Sequence, residues 1–563
     1  MAFGIPPGLF LIAGALLVPL FHGRWRQLYM LFLPLAGLWC LVDSQSGAFF
    51  AFTFFDYQIV PVRVDSLSLI FGYIFHIAAA LSVVYAWHND DIVEQMAGLA
   101  YAGSGIGAVF AGDLITLFIY WEAMAITSVF LIWARRTDAA YAAGMRYLII
   151  QVGSGVLLLS GAILMAHESG SIAFEKMTLG SLATWLILIA FGIKCAFPFM
   201  HNWLQDAYPE ATVTGTVFLS AFTTKCAVYA LARGFPGTEL LIYVGAAMTA
   251  FPIFYAVIEN DLRRVLAYSL NNQLGFMVVG VGIGTTLAIN GAAAHAFAHI
   301  LYKALLFMSM GAVLYRVGTV KGSELGGLYK SMPFTTLFCI IGAASISAFP
   351  LFSGFIAKSL TLSAVAYEGY LAIWMILLFA SAGVFHHSGI KIPYFAFFAH
   401  DSGKRCKEAP LNMLIAMGVT AFLCIAIGVY SPWLYSLLPY PVEYEPYTTS
   451  HVIGQYQLLM FSALAFAVLM RFKIYPPELK SVNLDFDITY RKWLPAIYRW
   501  IIHLTRDGWH SILKDLRRGV HWVIVYMFRH HGPEGILART WPTGSMALWV
   551  ALLLGGFLLI YYL

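Results

Sequence analysis

Long apolar runs separated by short polar connections make up most of the chain. Residues 65–87, 96–112, 141–166, 181–200, 239–257, 410–430 and 545–562 are each long enough, at ~1.5 Å per residue, to cross most of a ~30 Å hydrocarbon core. The pattern predicts an all-α polytopic membrane protein of about sixteen spans. Two stretches break it. Residues 46–65, SGAFFAFTFFDYQIVPVRVD, alternate in a way that predicts an extracytoplasmic β-hairpin. Further on, Ile497, Ile501, Leu504, Ile512, Leu516, Val520, Val523 and Met527 recur at three- and four-residue steps among Arg499, Arg506, Lys514, Asp515, Arg517 and Arg518. That periodicity predicts an amphipathic lateral helix over 496–531, roughly 50 Å long, which Gly532 and Pro533 end before a last span. It follows the basic, proline-bearing linker FKIYPPELKSVNLDFDITYRK and is read as a brace to a neighbouring subunit. Four regions result: 1–95, N-terminal spans with the hairpin; 96–400, the core; 401–495, C-terminal spans and linker; and 496–563, the lateral helix with the last span.

Composition agrees. Hydrophobic residues are 60% and charged residues 11% of 563, against about 25% charged in soluble domains. A formal charge of +5 is too small and too scattered for nucleic acid. Arg24/Arg26, Arg135/Arg136, Arg263/Arg264, Arg316/Lys321, Lys404/Arg405/Lys407 and Arg471/Lys473 follow odd-numbered spans, so the positive-inside rule puts both termini outside. The linker from His88 to Glu94 belongs inside on that count yet is acidic. MAFGIPPGLF lacks a basic start and a cleavage pattern, so the first span is expected to stay in the mature chain. Cys40, Cys195, Cys226, Cys339, Cys406 and Cys424 form no CxxC pair and are read as packing residues, without metal or cofactor.

Charge inside the spans carries the functional signal. A Lys or Glu at the bilayer centre costs ~2.5–3.5 kcal/mol on the insertion scale. Glu122, Lys194, Lys225, Lys303 and Lys358 all fall in apolar stretches. Salt-bridged or snorkelling side chains are the bland reading for Lys225 and Lys303; Glu122 and Lys194 lie deeper in their spans. His295, His299 and Lys303 follow at steps of four and share one helix face, a string of proton acceptors. Zinc is the rival reading there, against which stand a cationic third group and the lack of HExxH. Lys391, with His386 and His387, is either part of the same path or interfacial. Asp113, Arg146 and Asp206 are placed near helix ends, where charge is cheap.

GIKCAFPFMHNWL (192–204) and SISAFPLFSGFIAK (345–358) each place a proline, Pro198 or Pro350, in mid-span beside a lysine. Interrupted helices at matching places in two halves suggest an inverted-repeat transporter.

FIYWEAM (118–124), GIKCAFPFMHNWLQDAYPEA (192–211), TKCAVYALAR (224–233), ENDLRRVLAYSLNNQLG (259–275), HAFAHILYKALLFMSMG (295–311), LGGLYKSMP (325–333) and AFPLFSGFIAKS (348–359) carry a family resemblance over roughly 96–400. The chain resembles the antiporter-like subunits of respiratory complex I and of Mrp-type Na+/H+ antiporters, and looks most like the MrpD group of the latter. That resemblance implies two inverted five-helix repeats, spans 4–8 and 9–13, without a redox cofactor. It implies a proton relay in which Glu122 and Lys194 form the modulating pair. Lys225 follows, His295, His299 and Lys303 bridge, and Lys358 is the terminal donor. It implies a bacterial inner-membrane location and partners among other membrane subunits, with protons and Na+ as the ions. Two departures stand out: WLQDA at 203–207 replaces a proline-bearing WLPxA, and Ala211-Thr212 replaces an Ala-Pro step. The long amphipathic tail is more than a member of the MrpD group is expected to carry. A proton-pumping module of a hydrogenase or quinone-linked dehydrogenase, and the membrane half of an inorganic-carbon uptake system, stay open as alternatives.

Overall fold

A computed structural model describes residues 4–476, 479, 483, 485–539 and 542–563. Part of the proline-bearing linker (477, 478, 480–482 and 484) and the first three residues lie outside the described set. The chain forms two compact units, Met1–Asn483 and Leu484–Leu563.

The first unit opens with α1 (Pro7–Leu17) and α2 (Gly23–Val42). Four short strands follow: β1 (Gly47–Phe49), β2 (Phe52–Phe54), β3 (Tyr57–Ile59) and β4 (Val62–Val64). β2 pairs antiparallel with β3, and β1 with β4, giving the hairpin that the alternation predicts. α3 (Ser66–Tyr85) starts on a capping box of Asp65 and Ser68. Asp91 caps α4 (Ile92–Phe110), Asp113 caps α5 (Leu114–Trp133), Thr137 caps α6 (Asp138–Ser169) and Ser181 caps α7 (Leu182–Lys194). Asp113 also accepts the Val60 N–H, so its charge does serve a helix end. Then come α8 (Asn202–Ala207), α9 (Gly215–Ala221), α10 (Thr223–Gly234), α11 (Leu240–Ile258), α12 (Leu262–Ile283) and α13 (Thr286–Val317). The unit continues with α14 (Pro333–Ile346), α15 (Ser353–Tyr367) and α16 (Leu371–Val384). The short α17 (Lys391–Pro393) lies between two π-helical turns, Phe385–Ile390 and Tyr394–Phe398. α18 (Leu411–Val429), α19 (Ser431–Tyr435) and α20 (Thr449–Arg471) complete it.

Among the described residues eleven helices are long and apolar enough to cross a membrane, and three apolar helices are shorter. α4 and α12 have the length but carry polar residues that keep them out of that count. α10, α12 and α13 are almost wholly buried and form the centre. Small residues let the backbones close up there: a Cβ on Gly245 of α11 would meet the Gly275 carbonyl of α12 at 2.8 Å.

The basic connections gather at one end. Arg26 reaches Asp90, Arg136 reaches Asp91, Arg135 reaches Glu210, and Arg316 donates to the Glu408 carbonyl. The acidic linker is therefore the counter-charge for basic loops, which is why it breaks the sign pattern of its neighbours.

In the second unit, α21 (Leu494–His531) is one helix of 38 residues that stops at Gly532, as the periodicity predicts. Its length is about 57 Å, and no residue of it is buried. α22 (Thr543–Tyr562) follows.

Candidate functional site

Both mid-span prolines sit at helix breaks built in the same way. α7 ends with Ala196 N–H on the Ile193 carbonyl (3.1 Å) and Phe197 N–H on the Gly192 carbonyl (2.9 Å). α14 ends with Ala348 N–H on Ser345 (3.1 Å) and Phe349 N–H on Ala344 (3.1 Å). Each is a Schellman ending with alanine in the left-handed position: φ is 62° at Ala196 and 58° at Ala348. Past the prolines the backbone turns left-handed again, at Phe199 (68°) and Leu351 (74°). Glycine would adopt these angles without strain; alanine pays ~1–2 kcal/mol.

The helix breaks expose carbonyls, and the buried lysines sit on carbonyls. Lys358 donates to the Ile346 carbonyl at the end of α14 (2.7 Å). Lys225 donates to the Ser220 carbonyl at the end of α9 (2.6 Å) and to Thr224 Oγ1 (3.2 Å). Lys391 reaches three carbonyls at the end of α11, those of Ala256, Val257 and Glu259 (3.3, 2.7 and 2.6 Å). Helix C-termini carry about half a negative charge, so each of these ammonium groups meets a favourable field there. Lys303 donates to the Leu266 carbonyl of α12 (3.2 Å). All these lysines are buried, so none snorkels to a surface.

Glu122 and Lys194 come together through the backbone. Lys194 Nζ donates to the Trp121 carbonyl, one residue before Glu122, at 2.5 Å, and lies 4.7 Å from the Trp121 ring centroid. The Glu122 and Lys194 charges act on each other. Glu122 Oε1 is buried with no hydrogen-bond partner among the described residues. It presses on Gly155 of α6, where an added Cβ would stand 1.4 Å from it.

On α13, His295 Nε2 meets Gln273 Oε1 (3.2 Å) and Tyr302 OH (3.0 Å). Neither ring nitrogen of His299 is hydrogen-bonded among the described residues. The charges of Lys225, Lys303 and Lys358 all act on His299, which places these groups around one polar centre. His387 adds to it: Nδ1 meets Ser388 Oγ at 2.8 Å, Ser388 donates to Ser269 Oγ at 2.8 Å, and the Lys303 charge acts on His387. His386 instead stacks on Tyr475, 5.3 Å between centroids. Among the described residues no group of three or more His, Cys, Asp or Glu is arranged to hold a metal ion.

Arg263 escapes a reading of the sequence, which counts it as a loop charge. It is buried at the start of α12 and donates to the carbonyls of Pro209 (3.0 Å), Tyr208 (3.3 Å), Ala211 (3.2 Å) and Thr212 (3.2 Å), and to Thr216 Oγ1. The loop after the first break is thus tied to the second half. The two departures from the family pattern lie on this loop and just before it. Thr212, in place of proline, donates to Glu94 at 2.7 Å, as does Thr214. Asp206 of WLQDA takes a two-pronged bond from Arg146 (2.6 and 3.0 Å).

The family model "NADH:quinone oxidoreductase/Mrp antiporter, TM" matches residues 111–429. Hydrogenase-4 component B of Escherichia coli (strain K12) is 28% identical over 431 residues, 68% of this chain and 64% of that protein. Na(+)/H(+) antiporter subunit A1 of Staphylococcus aureus (strain JH9) is 28% identical over 504 residues, 80% of this chain and 61% of that protein. The chain thus spans less than two thirds of these relatives' length. In fold it matches a chain of the Mrp complex from Dietzia sp. DQ12-45-1b (TM-score 0.76, 22% identity, 92% of this chain and 62% of that one). It also matches a chain of the membrane-bound sulfane sulfur reductase, an archaeal respiratory membrane complex (0.71, 21%, 99% of each). The family model spans more than half of the sequence and includes every buried lysine described above, so this chain belongs to the NADH:quinone oxidoreductase/Mrp antiporter transmembrane family.

Proposed function

We propose that the chain is a proton-conducting subunit of a multi-subunit monovalent cation (Na+)/proton antiporter. Protons pass along Glu122, Lys194, Lys225, His295/His299/Lys303 and Lys358, with Lys391 as a side station. The observation that carries this reading is the set of buried lysines held by main-chain carbonyls, since a purely structural ammonium would cost less next to a carboxylate. Water in the seam links the seats. Counting α1, α4, α12 and the two broken helices as crossings gives sixteen spans, and the matched breaks support reading the halves as inverted repeats. The basic end faces the cytoplasm of a bacterial inner membrane, both termini lie outside, and α21 braces a neighbouring subunit.

Coupling to a redox complex is the second reading, favoured by the full-length fold match to a chain of the sulfane sulfur reductase and by the hydrogenase-4 relative. The membrane half of an inorganic-carbon uptake system would use the same relay. Reconstitution of the complex with Lys358→Ala or Glu122→Ala tests the relay. Proton flux falls to background in assembled complex; undiminished flux in either variant removes that residue from the path.

A further inference from the structure

The Lys391 seat is finished by a stretch of chain that the spans do not supply. Its three acceptors converge because Glu259, at the end of α11, leaves the helix in an extended conformation (φ −74°, ψ 134°). The Ala256 and Val257 carbonyls are among the last four that an α-helix leaves free, and the turn at Glu259 brings its own carbonyl beside them, on Lys391 Nζ. The Glu259 side chain fixes that turn. Oε1 accepts the Asn260 and Asp261 N–H groups (3.0 and 3.1 Å), and Oε2 accepts the side-chain amide of Asn483, from the linker beyond α20, at 3.3 Å. Glu259 is buried, so a lost donor there is costly to replace.

The segment that carries the lysine is held by the same linker. Lys391 N–H donates five residues back, to the His386 carbonyl, closing the π-helical turn Phe385–Ile390. The His386 ring lies nearly parallel to the Tyr475 ring, 5.3 Å between centroids and 17° between planes, and Phe466 of α20 stands edge-on to both at 5.2 Å. Tyr475 is buried, and its N–H returns to the Leu469 carbonyl of α20 (3.1 Å), so the linker starts folded back on the helix it leaves. A π turn holds one residue more than an α turn, so relaxing it would swing Lys391 round the helix axis by up to roughly 100°, away from the α11 carbonyls.

We propose that Tyr475 and Asn483 are positioning residues that clamp the Lys391 seat from its two sides. Tyr475 acts through the turn that carries the lysine, and Asn483 through the residue that supplies its nearest carbonyl, Glu259 at 2.6 Å. The seat then depends on the linker as much as on the spans. The clamp itself is a matter of geometry; its bearing on proton flux rests on the reading of Lys391 as a proton station.

The test labels lysines in the reconstituted complex with methyl acetimidate, an amine reagent that crosses membranes, and reads each site by mass spectrometry. Buried Lys391 is protected in the wild type. Asn483→Ala removes a hydrogen bond to a charged group and is expected to raise Lys391 labelling about tenfold by easing local opening; Tyr475→Leu is expected to raise it by a similar factor. Lys358, seated at the end of α14, keeps its wild-type protection in both. Wild-type protection of Lys391 in both variants overturns the clamp. An equal rise at Lys358 overturns it too, as a general loosening of the protein. Proton flux through unlabelled proteoliposomes separates the clamp from the station: a fall that accompanies the rise in labelling supports both, whereas wild-type flux with Lys391 exposed takes Lys391 out of the path and leaves the clamp in place.

Discussion

Replacing Gly155 with alanine tests whether the place of the Glu122 carboxylate matters. An alanine Cβ there would stand 1.4 Å from Oε1 and 2.4 Å from the carboxyl carbon. Ordinary contact begins at 3.4 Å, so the oxygen must retreat by about 2 Å. Gly153, on the same helix, has nothing within 4 Å of its added Cβ, and Gly153→Ala is the matched control. Both variants gain helix propensity worth ~1 kcal/mol; only Gly155→Ala adds a clash, which costs ~1–3 kcal/mol where the surroundings are tight. Displacing a reacting group by 1 Å can cost about a hundredfold in rate, so proton flux in reconstituted Gly155→Ala is expected to drop by one to two orders of magnitude. Gly153→Ala is expected to keep wild-type flux and melt no lower than wild type. Equal flux in the two variants would mean that Glu122 works wherever its side chain points, and the reasoning from its position would fail.

Two further outcomes follow from the backbone and the tail. Ala196→Gly and Ala348→Gly relieve ~1–2 kcal/mol of left-handed strain each and lose ~0.5–1 kcal/mol to chain entropy; a thermal melt of the assembled protein should therefore rise slightly, and a clear fall would show that the breaks are not strained. Deleting residues 496–563 should weaken co-purification with the adjacent subunit, and unchanged assembly would refute the brace.

Much of the architecture was legible because a bilayer leaves few solutions for long apolar runs. The run 65–87 became α3, and 410–430 became α18, with boundaries set by Asp65 and by Tyr430. Pro198 and Pro350 marked the breaks because proline cannot continue the hydrogen-bond ladder. The left-handed alanines two residues earlier were not legible, since alanine gives no signal of a conformation it resists. Charge within apolar stretches was equally visible for Glu122 and the lysines, but their partners were not: a carbonyl belongs to every residue. That is why the three α11 carbonyls around Lys391 could not be foreseen, and why Arg263 passed as a loop charge.

The carbonyl seats bear on what happens when a lysine loses its proton. Beside a carboxylate, the departing proton would strand a full anion in a low-dielectric interior, and the pull of that anion would hold the proton back. At the end of α14, deprotonated Lys358 leaves behind only a fixed partial charge already spread over peptide dipoles and built into the helix. Such a perch accepts either form of its guest without creating an orphan ion.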